Sequence, residues 1–134
     1  MLDFGTRVDG YPSDQTRTLV FDGEPSTEYE RVHETVREAQ AAAVDAVEPG
    51  IAAEAVDRAA REVVEDAGYG DEFFHRTGHG VGLDVHEEPY IVAGNDRELE
   101  PGMVFRWNRE STSTGGSAVG SRTSSSSLKA AASG

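Results

Sequence analysis

The chain has 134 residues, a formal net charge of −13 and no cysteine. This length suffices for one modest domain, and the lack of cysteine excludes disulfides and thiolate metal sites and suits a reducing cytoplasm. The negative charge argues against nucleic acid or an anionic membrane as a partner. Because no apolar run approaches 18 residues and no signal peptide is recognisable, we expect a cytoplasmic protein without a membrane span.

The first half of the chain predicts a hairpin followed by a helix. Residues 2–9 and 15–21 alternate well enough to form two strands, with the intervening DGYPSD as their turn. Thr27 is predicted to cap a helix, because Glu30 follows three residues later as in a capping box. The Glu-Pro-Gly at 48–50 should end that helix.

The second half predicts a further helix and then strands. A helix from about residue 52 to 67 carries valines and alanines on one face and ends at Gly68. Residues 73–92 are punctuated by glycine and read as strands, and RELEPGMVF at 97–105 indicates a turn into another strand. A hairpin, helices and then strands predict an α+β fold.

Charge and composition change abruptly after Phe105. Residues 1–105 carry 24 acidic residues against eight arginines and no lysine, a balance of −16. Residues 106–134 are rich in Ser, Gly and Thr, with one acidic residue against three arginines and one lysine. The acidic, lysine-free body is typical of a salt-adapted protein, since salt screens its self-repulsion, although an ordinary acidic domain is the alternative. We expect the C-terminal tail, residues 106–134, to be disordered.

Two aspartates and three histidines are candidates for a functional site. Asp3 and Asp14 lie eleven residues apart across the predicted hairpin, which can bring both carboxylates together, although each could simply stabilise a turn. His75, His79 and His86 fall within twelve residues, in a glycine-rich segment that permits close backbone approach. Carboxylates and neutral imidazoles form a mixed O/N site that suits Mn, Co or Zn.

The remaining histidine, His33, lies between valines on the first predicted helix, and we interpret it as structural.

Two metal ions sharing one activated water would also need further carboxylates beyond the two aspartates.

Three motifs carry a resemblance to a known family. DFG, YPSDQTRT and GHGVGLDVHEEP occur in this order, and together they closely resemble the pita-bread metallopeptidases, which include aminopeptidase P, prolidase and methionine aminopeptidase. SDQTRT and GLDVHEEP are more similar to the Xaa-Pro branch than to the methionine branch. The resemblance covers residues 2–105 and implies that residues 1–105 form a partial metallopeptidase catalytic domain of pita-bread fold.

The resemblance also implies a role for each candidate residue. Asp3 would bind one metal ion, Asp14 would bridge two, and His79 would bind the other. His86 would stabilise the substrate or tetrahedral intermediate, and His75 would line the pocket as a hydrogen-bond or proton partner. The implied cofactors are two divalent metal ions, manganese first with cobalt or zinc as alternatives. The implied substrate is a proline-containing peptide, cleaved before proline by a metal-activated water, and the intact form is expected to be a homodimer.

The sequence departs from the family after ELEPGMVF. The family continues with a Glu-Pro-Gly strand and a later Arg-x-Glu-Asp, which supply two more metal ligands. Here Arg106, Trp107 and Asn108 follow, and Glu110 is the last carboxylate. The implied site is therefore incomplete, and we expect little or no peptidase activity. The alternatives are a methionine aminopeptidase-like enzyme, a creatinase-like amidinohydrolase and a non-catalytic pita-bread binding module.

A change of reading frame would account for this departure. The third base of each codon, read with the first two bases of the next, can encode Val-Glu-Pro-Gly-Ile-Tyr across residues 106–112, and the codons of Trp107 and Asn108 force the Glu. With suitable codons the same frame gives Arg-Ile-Glu-Asp across 120–123. We hypothesise a single-base frame change near codon 105, with a genuine flexible Ser/Gly tail as the alternative.

The coding DNA tests this hypothesis. Asp3 lies almost at the terminus, whereas the family carries a preceding domain, so we also expect Met1 to be an internal start in a middle fragment. Sequencing across codons 1 and 105 should reveal the missing Glu motifs in a neighbouring frame. If no frame and no corrected read encodes them, the hypothesis is refuted and the tail is genuine.

Overall fold

The structure is a computed structural model that describes residues 2–17, 19–20, 22–73, 75–108, 111–113 and 117–119. The order of its elements is an N-terminal hairpin, two helices and a three-stranded sheet, followed by a short backbone hairpin. The predicted α+β order is thereby confirmed. The tail at 106–134 was expected to be disordered, but the structure has strands at Phe105–Trp107, Ser111–Ser113 and Ser117–Val119. For residues 109–110, which include Glu110, 114–116 and 120–134 the expectation lies outside the described residues.

The N-terminal hairpin turns more tightly than expected. Its strands are β1 (Leu2–Phe4), β2 (Arg7–Val8), β3 (Tyr11–Pro12) and β4 (Gln15–Arg17). β1 pairs antiparallel with β4 and β2 with β3. The turn is Asp9–Gly10, whose φ angles of 51° and 90° are those of a turn with two left-handed residues. The predicted six-residue turn was therefore too wide, because Tyr11 and Pro12 already belong to the returning strand.

Two helices follow the hairpin and pack against each other. They are α1 (Thr27–Ala46) and α2 (Ala53–Asp66), close to the predicted ranges. The cap of α1 is Ser26, whose Oγ accepts a hydrogen bond from the Tyr29 amide at 3.1 Å, so the prediction of Thr27 was wrong by one residue. The helices bury small apolar side chains along their shared face, which are Ala39, Ala43, Ala53, Val56, Ala60 and Val64.

The sheet has β5 (Gly78–Gly80) at its centre, between β6 (Glu87–Ile91) and β7 (Phe105–Trp107). Both neighbours run antiparallel to β5. Ile91, Leu99 and Phe105 are buried in the same core as the helix faces. β8 (Ser111–Ser113) and β9 (Ser117–Val119) pair with each other as a separate backbone hairpin.

The ordered sheet continues past the predicted boundary at residue 105. Arg106 and Trp107, assigned to the tail by composition, belong to β7, and Trp107 is buried. The reason is strand alternation, which sends Phe105 and Trp107 into the core and Arg106 to the opposite face. The backbone hydrogen bonds extend one residue further, because the Asn108 amide donates to the Thr77 carbonyl at 2.7 Å.

The glycines of β5 are required by close packing on both sides. A Cβ atom at Gly78 would lie 2.6 Å from the Arg106 carbonyl oxygen, and one at Gly80 would lie 2.5 Å from that of Glu88. Real Cβ atoms do not approach backbone oxygens this closely. The interpretation of the glycine-rich segment as a place of close backbone approach is confirmed.

Several large apolar side chains are exposed to solvent. The large side chains of Val8, Tyr11 and Leu83 are 66%, 63% and 62% exposed, respectively. They lie on the hairpin and on the loop that precedes β6. Among the described residues, the helices are all too short or too polar to cross a membrane.

A buried polar network ties α2 to the segment that enters β5. Asp57 is 1% exposed and accepts hydrogen bonds from Arg61 Nε at 2.7 Å and from Thr77 Oγ1. The Arg61 guanidinium also donates to the carbonyl oxygens of Phe73 and His75, at 2.7 and 3.0 Å. The network therefore fixes the path of the chain just before the sheet.

We expect Asp57→Ala to destabilise the fold strongly. The substitution leaves Arg61 and Thr77 without their buried acceptor, which should lower the free energy of unfolding by about 3 kcal/mol. Urea denaturation followed by circular dichroism measures the change. Glu34→Ala is the matched control, because the Glu34–Arg37 pair is exposed and should contribute little. Equal unfolding midpoints for the two variants would contradict this account of the network.

Candidate metal centre

Three predicted site residues meet beside the sheet. One ligand atom each from Asp14, His79 and His86 lie within 4.8 Å of one another. They come from different elements, since Asp14 precedes β4, His79 is the middle residue of β5 and His86 precedes β6. One carboxylate oxygen and two imidazole nitrogens are a donor set that suits a divalent transition metal.

Hydrogen bonds stabilise the hairpin that carries Asp14 and connect it to the loop that carries His86. Thr6 and Ser13 pair across it, with the Ser13 amide donating to the Thr6 carbonyl oxygen at 2.8 Å and the Thr6 amide to Ser13 Oγ at 3.0 Å. Arg7 Nη1 donates to the carbonyl oxygens of Gly10 and Leu83, at 3.1 and 3.2 Å. Arg7 thereby links the hairpin that carries Asp14 to the loop that carries His86.

An open cleft lies between the hairpin and that loop. Its volume is about 510 Å³, and Asp14 and His86 both line it. Phe4, Pro12 and Val85 provide apolar walls. A cleft of this size with a few polar groups is typical of a site for a small ligand.

His79 has the chemistry of a preoriented metal ligand. Its side chain is fully buried, and its Nδ1 lies 3.0 Å from the Gly80 carbonyl oxygen. This hydrogen bond assigns the ring proton to Nδ1, and Nε2 is left as a buried lone pair with no hydrogen-bond partner among the described residues. A buried nitrogen without a partner is costly unless something binds it, so the residue fits a metal ion.

The surroundings keep the His79 ring neutral. Burial is the largest cause and lowers the pKa of His79 below its ordinary value of 6.5, while the hydrogen bond to Gly80 opposes the shift. The nearby charges of His86, Arg106 and Arg76 lower the pKa further. A neutral imidazole is the form that binds metal ions.

Arg106 brings a positive charge into the cluster that the sequence analysis missed. Its Nη1 lies 3.0 Å from Asp14 Oδ2, and the two side chains are only 18% and 15% exposed. Arg106 is directly opposite His79 in the β5–β7 register, so both side chains lie on the same face of the sheet. The alternation of Phe105, Arg106 and Trp107 was the available signal, and the change in composition obscured it.

The roles of the other two predicted residues, Asp3 and His75, stay predictions. Asp3 lies in β1 with its backbone opposite Thr16, but its side chain is outside the described part of the structure. The role of Asp3 as a ligand therefore stays a prediction. His75 is partly buried and lies outside the three-residue cluster found among the described residues. Its role as a hydrogen-bond or proton partner also stays a prediction.

His33 and Asn108 contribute no metal ligand to this cluster. His33 lies on α1 beside Tyr29, with ring centroids 6.1 Å apart, and is not one of the clustered ligands in the described part of the chain. Asn108 has a neutral amide whose Nδ2 donates to the Arg76 carbonyl oxygen at 3.4 Å, so it adds no carboxylate. The three clustered donors therefore fit one divalent ion, and a second ion would need further ligands.

Comparison with known proteins identifies the family of this chain. Residues 1–118 match metallopeptidase family M24. The Xaa-Pro dipeptidase of Lactobacillus helveticus is 51% identical over 105 residues, which are 78% of this chain and 28% of that protein. A probable dipeptidase, PepE, of Mycobacterium bovis is 54% identical over 101 residues, 75% of this chain and 27% of the relative.

A solved structure shows the same fold. The prolidase of Thermococcus sibiricus superposes with a TM-score of 0.78 and 51% identity, over 84% of this chain and 30% of the prolidase. The chain thus spans less than a third of the length of these relatives. The expected partial pita-bread domain is confirmed, and the chain belongs to metallopeptidase family M24.

Proposed function

We propose that the chain is part of the catalytic domain of an Xaa-Pro dipeptidase, which hydrolyses the peptide bond before proline. The observation that carries the proposal is the convergence of Asp14, His79 and His86 in a chain of family M24. The Xaa-Pro dipeptidase and the prolidase, each 51% identical, favour this substrate class over that of a methionine aminopeptidase.

The donor set suggests how metal ions would be held. Asp14 would bridge two ions through its carboxylate, Asp3 would bind one of them and His79 Nε2 the other. The two glutamates that this chain lacks would complete the site. Manganese is our first choice, with cobalt or zinc as alternatives, because all three accept mixed O/N ligands. Such ions polarise a carbonyl oxygen and lower the pKa of water.

The protein side chains would orient the peptide around this centre. His86 is exposed at the cleft and can donate a hydrogen bond to a carbonyl oxygen of the substrate. The apolar walls formed by Phe4, Pro12 and Val85 suit a proline ring. His75, whose carbonyl oxygen accepts a hydrogen bond from Arg61, is the proposed proton partner.

The 134-residue chain itself is proposed to be inactive. The family's Glu-Pro-Gly is replaced after Phe105 by residues that include Arg106 and the neutral Asn108. Because metal ions require deprotonated, correctly placed ligands, loss of two glutamates should weaken binding severely. The intact enzyme is proposed to be a homodimer in a salt-rich cytoplasm, for which the acidic body is suited.

We expect the 134-residue chain to release no proline from an Ala-Pro dipeptide in the presence of MnCl₂. A chain re-encoded in the neighbouring frame from codon 106 should release proline, because that frame supplies both glutamates. Asp14→Asn in the re-encoded chain is the matched control and should abolish the activity. A colorimetric proline assay measures all three proteins.

The outcomes separate the two parts of the proposal. Proline release by the 134-residue chain that is lost on Asp14→Asn would contradict its inactivity. An inactive, folded re-encoded chain would contradict the dipeptidase function and favour a non-catalytic pita-bread module.

We further expect His79 to titrate below pH 6.5, its ordinary value, because burial lowers its pKa. The unfolded chain then binds the proton more readily than the folded chain, so stability is full above about pH 6.5 and declines as the pH falls below it. Nuclear magnetic resonance of the histidine C–H groups measures the midpoint, and His79→Gln assigns the signal. A midpoint at or above 6.5 would refute the neutral ring.

A further inference from the structure

The Asp14 carboxylate already has a cationic partner. The Arg106 guanidinium lies 3.0 Å from Asp14 Oδ2, and both side chains are largely shielded from water. The guanidinium compensates the negative charge of this carboxylate.

The backbone holds Arg106 at this position. Arg106 pairs with His79 across β5 and β7, and the flanking Phe105 and Trp107 anchor the strand in the core. The guanidinium has a second acceptor next to Asp14, because Nη1 lies 3.4 Å from Asn108 Oδ1. Arg106 can therefore leave Asp14 without losing every hydrogen bond.

We propose that Arg106 is a built-in competitor for the metal site, whose guanidinium occupies the Asp14 carboxylate and must be displaced before a divalent cation binds there. The inference rests on the proposed metal site and gives a role to Arg106, which the proposed function does not use. A divalent cation bound at this shielded carboxylate would lie close to the guanidinium charge, and without the two missing glutamates little negative charge offsets their repulsion. Metal affinity is therefore limited by this ion pair as well as by the number of ligands.

Calorimetric titration with Zn²⁺ tests the proposal. Arg106→Gln should lower the dissociation constant at least about tenfold relative to the unchanged chain. Arg106→Lys should bind as weakly as the unchanged chain, because it keeps the charge. Adding His79→Gln to Arg106→Gln should remove the gain, which shows that the ion binds at this cluster.

Arg76→Gln is the matched control for a general charge effect. Arg76 also acts on His79, but its guanidinium lies over the Tyr90 ring, 4.7 Å from the centroid. An equal gain in affinity for Arg76→Gln and Arg106→Gln would overturn the proposal. No gain for a folded Arg106→Gln protein would also overturn it.

A second experiment needs no substitution. Phenylglyoxal modifies accessible arginines, and mass spectrometry of peptides gives the extent at Arg106. Bound Zn²⁺ should increase modification of Arg106 and leave that of the exposed Arg37 unchanged. Unchanged reactivity of Arg106 in the Zn²⁺-bound chain would overturn the proposal, even if Arg106→Gln failed to fold.

These readouts are independent of peptidase activity. A gain in Zn²⁺ affinity without proline release by the re-encoded chain would contradict the dipeptidase function alone. Proline release by that chain, together with no effect of Arg106 on Zn²⁺ binding, would contradict the competitor role alone.

Discussion

Close packing of the central strand β5 between β6 and β7 determines where the candidate site lies. The strand can be flanked so tightly because Gly78 and Gly80 have no Cβ atoms. The residue between them, His79, is consequently buried with its ring directed by the Gly80 carbonyl oxygen. Asp14 and His86 approach this ring from the hairpin and the adjoining loop, so the site is assembled around one buried imidazole.

Support for β5 also comes from outside the sheet. Asp57 and Arg61 join α2 to Phe73, His75 and Thr77, which lead into the strand. Helix packing and site geometry are thereby coupled through one buried carboxylate.

Much of the fold could be predicted from the sequence because periodicity and glycine punctuation are local signals. The helix ranges and the clustering of Asp14 with His79 followed from spacing and motifs. The cap of α1 was misplaced because Ser26 and Thr27 are adjacent and chemically equivalent caps. The hairpin turn was drawn too wide because Tyr11 and Pro12 resemble turn residues, although the backbone pairs them with β2.

Arg106 was the larger omission, and its cause is physical. Strand pairing uses backbone groups, so β7 can continue across a change in composition if the alternating side chains still suit the core. Trp107 satisfies this condition because it is buried, and the neighbouring Arg106 consequently forms an ion pair with Asp14. The lack of two glutamate ligands can be inferred by matching motifs. The positive charge that Arg106 places beside Asp14 becomes visible only when the β5–β7 register is known.

The exposed apolar side chains of the hairpin and loop have a consequence for behaviour in solution. Val8, Tyr11 and Leu83 are more than half exposed on a protein whose body carries a balance of −16. At low ionic strength, mutual repulsion keeps neighbouring molecules apart. Concentrated salt removes this barrier and, with strongly excluded ions, favours apolar association. Salt also screens the repulsion between charges within one chain, which favours the folded state. Concentrated salt should therefore raise conformational stability while it lowers colloidal stability.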